Sequence, residues 1–386
     1  MKHDLREAVA MADQDQLKAD ALRGKAEVTT AAVELAKDAR GANLLTNSRM
    51  ACLRTCPRKA WFRYEIGLRR KQTAKPLRMG RAIHLGIELQ SQGASSDEAI
   101  ERATADYVEI PAWCSAAEDI EAWTTEREIV ARLLCGYFWR WQSDGLEHIA
   151  SEISFELPII NPETGKPTPT FNVAGKIDAI VRLSDGRIAV KETKTVGEDI
   201  SPASDYWLRL SMDQQISLYI KSARRAGHDA QTVLYDAIRK PGIKPRKLTK
   251  AEAQMFASTG DWFGERMKAA VVERETPQMF GARLNADIAE RPDFYFARRE
   301  IPRLDADLAM FDQELWDQQK DLRERQKTER WYRNTSACRM MGTCEYLHIC
   351  PTWSVSQDTP TGFEIVDELH PELVNGDNND DSNSTD

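Results

Sequence analysis

Between residues 152 and 195 the chain alternates in a way that a sheet accommodates and a helix does not. EISFELPII (152–160) alternates apolar and polar residues, NPETGKP is a turn cluster, and FNVAGKIDAIVRL (171–183) is apolar and β-branched. Ser184-Asp185-Gly186 then signals a tight turn, and RIAVKETKT (187–195) resumes a strand, so the whole reads as an antiparallel meander. Around it the pattern is helical. One helix opens at Ser48 and runs through SRMACLRTCPRKAWFRYEIGL, and others are predicted over Met79–Ser91, about 120–142 and about 205–226. A strand at 232–240, a helix over 249–274, a strand at 294–301 and a charged helix over 304–329 complete the order. Helices, meander, helix, strand, helices predicts a mixed α/β core around one sheet.

A chain of 386 residues with 41% hydrophobic content can bury one large core or two modest ones. Three segments are expected: a helical arm over 1–45, a single domain over 46–355, and a largely disordered acidic tail over 356–386, whose last stretch, NGDNNDDSNSTD, offers nothing to bury. The net charge of −8 sits in residues 364–386, because Glu364, Asp367, Glu368, Glu372, Asp377, Asp380, Asp381 and Asp386 face no Lys or Arg there. The remainder is balanced, so the acidity does not exclude a nucleic-acid partner. Arg54 to Arg81 holds ten Lys or Arg and one acid, Glu65, interleaved with Trp61, Phe62 and Tyr64. Such a segment is a phosphate-attracting surface if those side chains share a face, and otherwise a solvated helix face with a basic loop.

No run approaches the ~20 apolar residues of a membrane span. The first ten residues, MKHDLREAVA, lack the apolar stretch of a secretory signal, so a cytoplasmic setting without membrane attachment is expected. In that setting the seven cysteines argue against a disulfide framework.

Asp178 and Glu192 lie six residues before and six after the 184–186 turn, so a hairpin brings them to facing positions. Converging carboxylates repel unless a cation holds them, and hard oxygen ligands suit Mg²⁺ or Mn²⁺. Lys194 is two residues from Glu192 and projects to the same face, where it could orient or deprotonate a water, or offset charge on a phosphate. Gln215 and Tyr219, four apart, share one face of the next helix. Gly175 precedes Asp178 by three.

The order His84, Gly175-x-x-Asp178, Glu192-x-Lys194 and Gln215-x-x-x-Tyr219 resembles the RecB-type branch of the PD-(D/E)XK nucleases, which includes phage exonucleases and CRISPR-associated adaptation nucleases. Cys56-Pro57-Arg58-Lys59-Ala60-Trp61-Phe62-Arg63-Tyr64 is similar to the first helix of that branch, and the likeness spans about 48–351. The resemblance implies a restriction-endonuclease-like α/β core with a mixed central sheet flanked by helices. It implies metal ligation by His84, Asp178, Glu192 and the backbone carbonyl of Thr193, with Lys194 assisting the attacking water and Gln215 and Tyr219 positioning the substrate strand.

Cys338, Cys344 and Cys350 recur every six residues, and Cys56 stands far upstream. Four thiolates can hold an iron–sulfur cluster or zinc. The resemblance favours [4Fe–4S], ligated by Cys56, Cys338, Cys344 and Cys350 and joining the two ends of the domain. Five residues separate Cys338 from Cys344 where the family pattern has two, which leaves Cys52 as a substitute ligand or a buried thiol. Cys114 and Cys135 read as core residues.

These features together predict a Mg²⁺- or Mn²⁺-dependent DNA exonuclease acting on free or single-stranded ends in recombination, repair or phage DNA metabolism, in the host cytoplasm if phage-encoded. The alternative is a non-catalytic DNA-binding or assembly subunit with the same fold. The acidic tail leaves a protein partner open.

Overall fold

The computed structural model describes residues 43–340, 342–355 and 357–373. The predicted N-terminal arm and the final acidic stretch fall almost wholly outside them. In chain order the elements are β1 (Leu44–Leu45), α1 (Asn47–Thr55), β2 (Leu68–Arg70), α2 (Lys75–Ser91), α3 (Ser96–Ala103), α4 (Ala117–Trp141), β3 (Glu147–Ile160), β4 (Pro167–Arg182) and β5 (Ile188–Val196). There follow α5 (Asp205–Leu210), α6 (Gln214–Arg225), β6 (Ala230–Arg239), α7 (Lys250–Thr259), the short pair β7 (Asp261–Trp262) and β8 (Glu265–Arg266), α8 (Pro277–Glu290), β9 (Phe296–Pro302), α9 (Asp305–Thr328) and β10 (Phe363–Ile365).

The central sheet is mixed and flanked by helices, in the order β1-β4-β5-β6-β9 with β3 also paired to β4. β4 and β5 are antiparallel, β5 and β6 parallel, β6 and β9 antiparallel. The chain divides into two compact units built from interleaved segments. Among the described residues, one comprises those up to Thr73, Ser154–Lys176 and those from Ala309; the other comprises Ala74–Ile153 and Ile177–Leu308.

The second unit holds β5, β6, β9 and the end of β4. Its main core packs α2, α4 and α8 together through Ile83, Leu133, Leu134, Phe280 and Leu284, and takes in Ile238 and Phe296 from the sheet. Gly86 lets α2 and α4 approach: a Cβ there would lie 2.6 Å from Leu134 Cδ1. A smaller cluster of Ala179, Val181, Leu183, Ala189 and Leu234 closes round the β4–β5 hairpin, whose turn places Gly186 at φ 88°. That positive φ is what glycine supplies there.

In the first unit Trp61, Phe62, Leu68, Tyr346, Trp353 and Phe363 form the core. β10 pairs antiparallel with β2, Leu369 and His370 are fully buried, and Tyr64 stacks on His370 with centroids 5.3 Å apart. Residues 357–373 are therefore built into this unit. The acids of 364–372 are carried there by an apolar scaffold, Phe363 and Leu369, that charge counting passes over.

Other boundaries move for local reasons. The first helix starts after Thr46, whose hydroxyl accepts from the Arg49 amide at 3.2 Å, and ends before Cys56 because Pro57 forces its predecessor into an extended conformation. The helix predicted over 205–226 is two helices. Asp213 interrupts it by capping α6, its carboxylate accepting from the Gln215 amide at 2.8 Å. The helix predicted over 249–274 ends at Thr259, where Gly260 takes a left-handed φ of 65°. α8 was missed although Thr276 caps it and Pro277 opens it.

Candidate active site

β4 and β5 pair from Arg182↔Ile188 to Ala179↔Lys191, and the next positions along the two strands are Asp178 and Glu192. The hairpin arithmetic thus holds, although the two carboxylates meet different partners. Asp178 Oδ2 accepts from the Thr193 amide at 2.9 Å and lies 3.5 Å from His84 Nδ1 on α2. Glu192 is 1% exposed; its Oε1 accepts from Gln215 Nε2 at 3.0 Å, and Lys194 Nζ forms a short ion pair with the same oxygen. Gln215 Nε2 also donates to the Tyr219 hydroxyl at 2.8 Å. The Asp213 cap is what starts α6 in time to place Gln215 over β5. All six predicted side chains lie in the second unit, in two sets of contacts: His84 with Asp178, and Glu192 with Lys194, Gln215 and Tyr219. The Thr193 contact runs through its amide.

The electrostatics separate the two acids. Burial alone would raise Asp178, but His84, Lys194 and the Thr193 amide outweigh it and hold the carboxyl down at about 2. Burial and the neighbouring Asp178 charge push Glu192 up to about 7, against the pull of Lys194. Burial works against the Lys194 ammonium, yet Glu192 and Asp178 raise it well above the ordinary lysine range. His84, with burial opposing and Asp178 favouring its charged form, is raised overall. One atom is orphaned: Glu192 Oε2 is buried without a hydrogen-bond partner. A buried carboxylate oxygen with no donor is one that fits the hard-oxygen ligation of a divalent cation. Among the described residues no three His, Cys, Asp or Glu side chains already converge on one ion position. Glu192 faces Lys194 instead.

His84, Asp178, Thr193, Glu88 and Lys191 line a cleft. Lys191 escaped the sequence reading. Its Nζ is 3.8 Å from Asp236, which is fully buried and also bound by the Tyr137 hydroxyl at 2.6 Å and Arg298 Nη2 at 2.8 Å. Nothing in the sequence signalled this network, because its members come from α4, β5, β6 and β9. The singled-out Gly175 has a packing role in the first unit: a Cβ there would lie 2.5 Å from Phe155 Cζ.

The basic segment Arg54–Arg81 does not present its aromatics to a ligand. Trp61, Phe62 and Tyr64 are 6%, 0% and 2% exposed, and Arg58 lies over Trp61 at 4.1 Å from the ring centroid. Buried rings have no free face for a ligand.

The cysteines of interest fall in the first unit. Cys56 Sγ accepts from the Asn334 amide at 3.4 Å, the Cys344 amide donates to the Cys338 carbonyl at 2.9 Å, and Cys344 and Cys350 pack against the Trp61–Phe62 core. Cys52 is half-buried, and burial pushes its thiol up to about 11. Cys114 is buried as expected, whereas Cys135 is exposed on α4, which corrects its reading as a core residue.

No helix among the described residues is long and apolar enough to cross a membrane. No curated protein matches the chain. Among solved structures, SSO0001 is 14% identical over 84% of this chain and 94% of its own, with a TM-score of 0.30. A candidate exonuclease from Eubacterium rectale is 11% identical over 56% of this chain and 76% of its own, with a TM-score of 0.31. The family model of the PD-(D/E)XK nuclease superfamily matches residues 45–351, a span that contains His84, the β4–β5 hairpin with its carboxylates and lysine, and the helix that brings Gln215 to Glu192. With most of its length matched, and a mixed sheet carrying the Asp178, Glu192 and Lys194 positions, the chain belongs to the PD-(D/E)XK nuclease superfamily.

Proposed function

We propose that the protein is a divalent-cation-dependent DNA exonuclease whose centre is His84, Asp178, Glu192 and Lys194. The observation that carries this reading is the buried, partnerless Oε2 of Glu192 beside the ionised Asp178. Asp178, Glu192, His84 and the Thr193 carbonyl would hold Mg²⁺ or Mn²⁺, of which PD-(D/E)XK nucleases usually use one. When bound, such an ion supplies Lewis acidity and lowers the pKa of coordinated water.

The chain's own residues do the rest. Lys194 is held charged by both carboxylates, so it acts as a fixed cation toward the phosphate and toward the water's developing negative charge rather than as a base. With a cation in place, Glu192 would hold it through the free Oε2, and Gln215, anchored by Tyr219, would keep that carboxylate oriented through Oε1.

The test is a strand-degradation assay with Mn²⁺ on linear and circular single-stranded DNA, labelled at the 5′ or the 3′ end. Mononucleotides or short products from linear strands, with circles resistant, support the exonuclease reading; equal cutting of circles overturns it in favour of an endonuclease.

We further propose that Cys56, Cys338, Cys344 and Cys350 ligate a [4Fe–4S] cluster that closes the first unit. The support is that Cys56 and Cys338 both meet Asn334, the one through its amide and the other through its carbonyl, while Cys344 and Cys350 pack against the Trp61–Phe62 core. Iron and sulfide assays of anaerobically purified protein test this, and a colourless zinc protein overturns it.

A further inference from the structure

The second unit carries cations and an exposed ring that the chemistry above does not use. α2 bears Lys75 and Arg78 ahead of His84, and nine residues of helix set Lys75 about 13 Å from His84 along the axis. Between them Gly80 lies against β5, where an added Cβ would be 3.4 Å from Thr195 Oγ1, the residue after Lys194. β5 ends at Val196, whose carbonyl accepts from the Lys240 amide at 2.8 Å. Lys240 therefore leaves the sheet three residues beyond Ala237, the partner of Lys194, or about 10 Å along the strand.

Glu126 organises this corner. It is 2% exposed, takes Arg78 Nε and Nη2 at 3.1 and 3.0 Å and the Tyr107 hydroxyl at 2.8 Å, and stands 3.9 Å from Lys75 Nζ. One buried carboxylate thus faces several cations, and Lys75 stays half exposed. Burial first, and Lys75 second, lower the pKa of the Lys240 ammonium, with Glu126 offsetting them only in part. Beside Arg78, 5.5 Å from its guanidinium carbon, is Trp113. Its ring is 43% exposed yet braced edge-on by Trp123, with centroids 5.5 Å apart at 86°. A braced, open indole next to cations is the combination that holds single-stranded nucleic acid, the ring taking a base and the ammonium groups taking phosphates.

We propose that Lys75, Lys240 and Trp113 form a subsite for single-stranded DNA that guides the strand toward the Asp178–Glu192 centre. The inference rests on the nuclease reading for its direction but not for its binding chemistry. Phosphates approach Lys75 and Lys240 at the end of β5, and one base stacks on the free face of Trp113. Arg78 is the brace that fixes the ring to Glu126.

The test uses the full chain in EDTA, where no cutting occurs, and measures fluorescence anisotropy of a labelled oligo-dT strand against salt. Lys75→Gln/Lys240→Gln should bind about tenfold more weakly and lose about 1.4 from the slope of log affinity against log salt, two phosphate contacts' worth. Trp113→Leu should lose about tenfold on oligo-dT and nothing on an abasic strand of equal length, which a merely unfolded variant would not do. Hydrolysis of bis(4-nitrophenyl) phosphate, which needs only the metal centre, should be unchanged in all variants. Wild-type affinity and slope in the double lysine variant overturn the subsite, and equal losses on both strands overturn the stacking. Strand binding that depends on this patch in a wild-type protein that cuts neither DNA nor the small diester overturns the nuclease reading and supports the subsite.

Discussion

His84 Nδ1 stands 3.5 Å from Asp178 Oδ2, with α2 and β4 each supplying one member of the pair. That contact gives the histidine a physical place beside the carboxylates, and the electrostatics of the group make its behaviour with pH predictable. Glu192, raised from 4.5 to about 7, stabilises the metal-free fold below pH 4.5, and that contribution is lost as pH rises through 7. Asp178, lowered from 3.8 to about 2, contributes above pH 3.8 and loses its contribution as pH falls toward 2. The metal-free melting temperature should therefore decline between pH 4.5 and 7 in a way that Glu192→Gln abolishes. Affinity for Mn²⁺ should rise by about tenfold or more per pH unit below 7, since Glu192 and His84 must each lose a proton before both can ligate. Calorimetric titration at three pH values checks both the sign and the slope.

Asp236 binds Tyr137 and Arg298 with Lys191 close by, and it is fully buried. Removing one member of a buried charge network leaves the others uncompensated, at a cost of about 3–5 kcal/mol. Asp236→Ala should lose that much in urea denaturation and still bind Mn²⁺. A variant of wild-type stability would show that the network is not held by Asp236.

Gly175 and Phe155 pack without room for a side chain between them. Gly175→Ala should destabilise by about 1–3 kcal/mol through overpacking, and Phe155→Leu should recover part of the loss in the double variant. Additive losses would mean that the ring does not lie over residue 175.

Cys56→Ser should abolish bound iron and sulfide, whereas Cys114→Ser, deep in the helical core of the second unit, should retain both. Equal metal content in the two variants removes Cys56 from the ligand set.

Much of the site was legible because it is local. Asp178, Glu192 and Lys194 are set by a hairpin whose turn residues announce it, and their spacing survives as the β4–β5 register. Gln215 was legible as a position, whereas its orientation depends on the Asp213 cap, a helix-start signal read over as helix interior. Lys191, Asp236 and Arg298 were invisible, since their meeting depends on the order β5-β6-β9, which no local pattern encodes. The aromatics of 61–64 misled because a basic helix can bury its rings under its own arginines, as Arg58 does over Trp61. The exposed ring beside the basic segment, Trp113, lies on a loop whose sequence signals nothing.

The most direct measurement is degradation of end-labelled single-stranded DNA in Mn²⁺ by freshly purified wild type and by Lys194→Ala, both checked for fold by melting temperature. The centre described above predicts cutting by wild type, abolished by EDTA, and a loss of at least about a hundredfold in the variant at unchanged stability. No cutting by wild type, or equal cutting by the two, would contradict it, the first outcome pointing to a non-catalytic DNA-binding subunit.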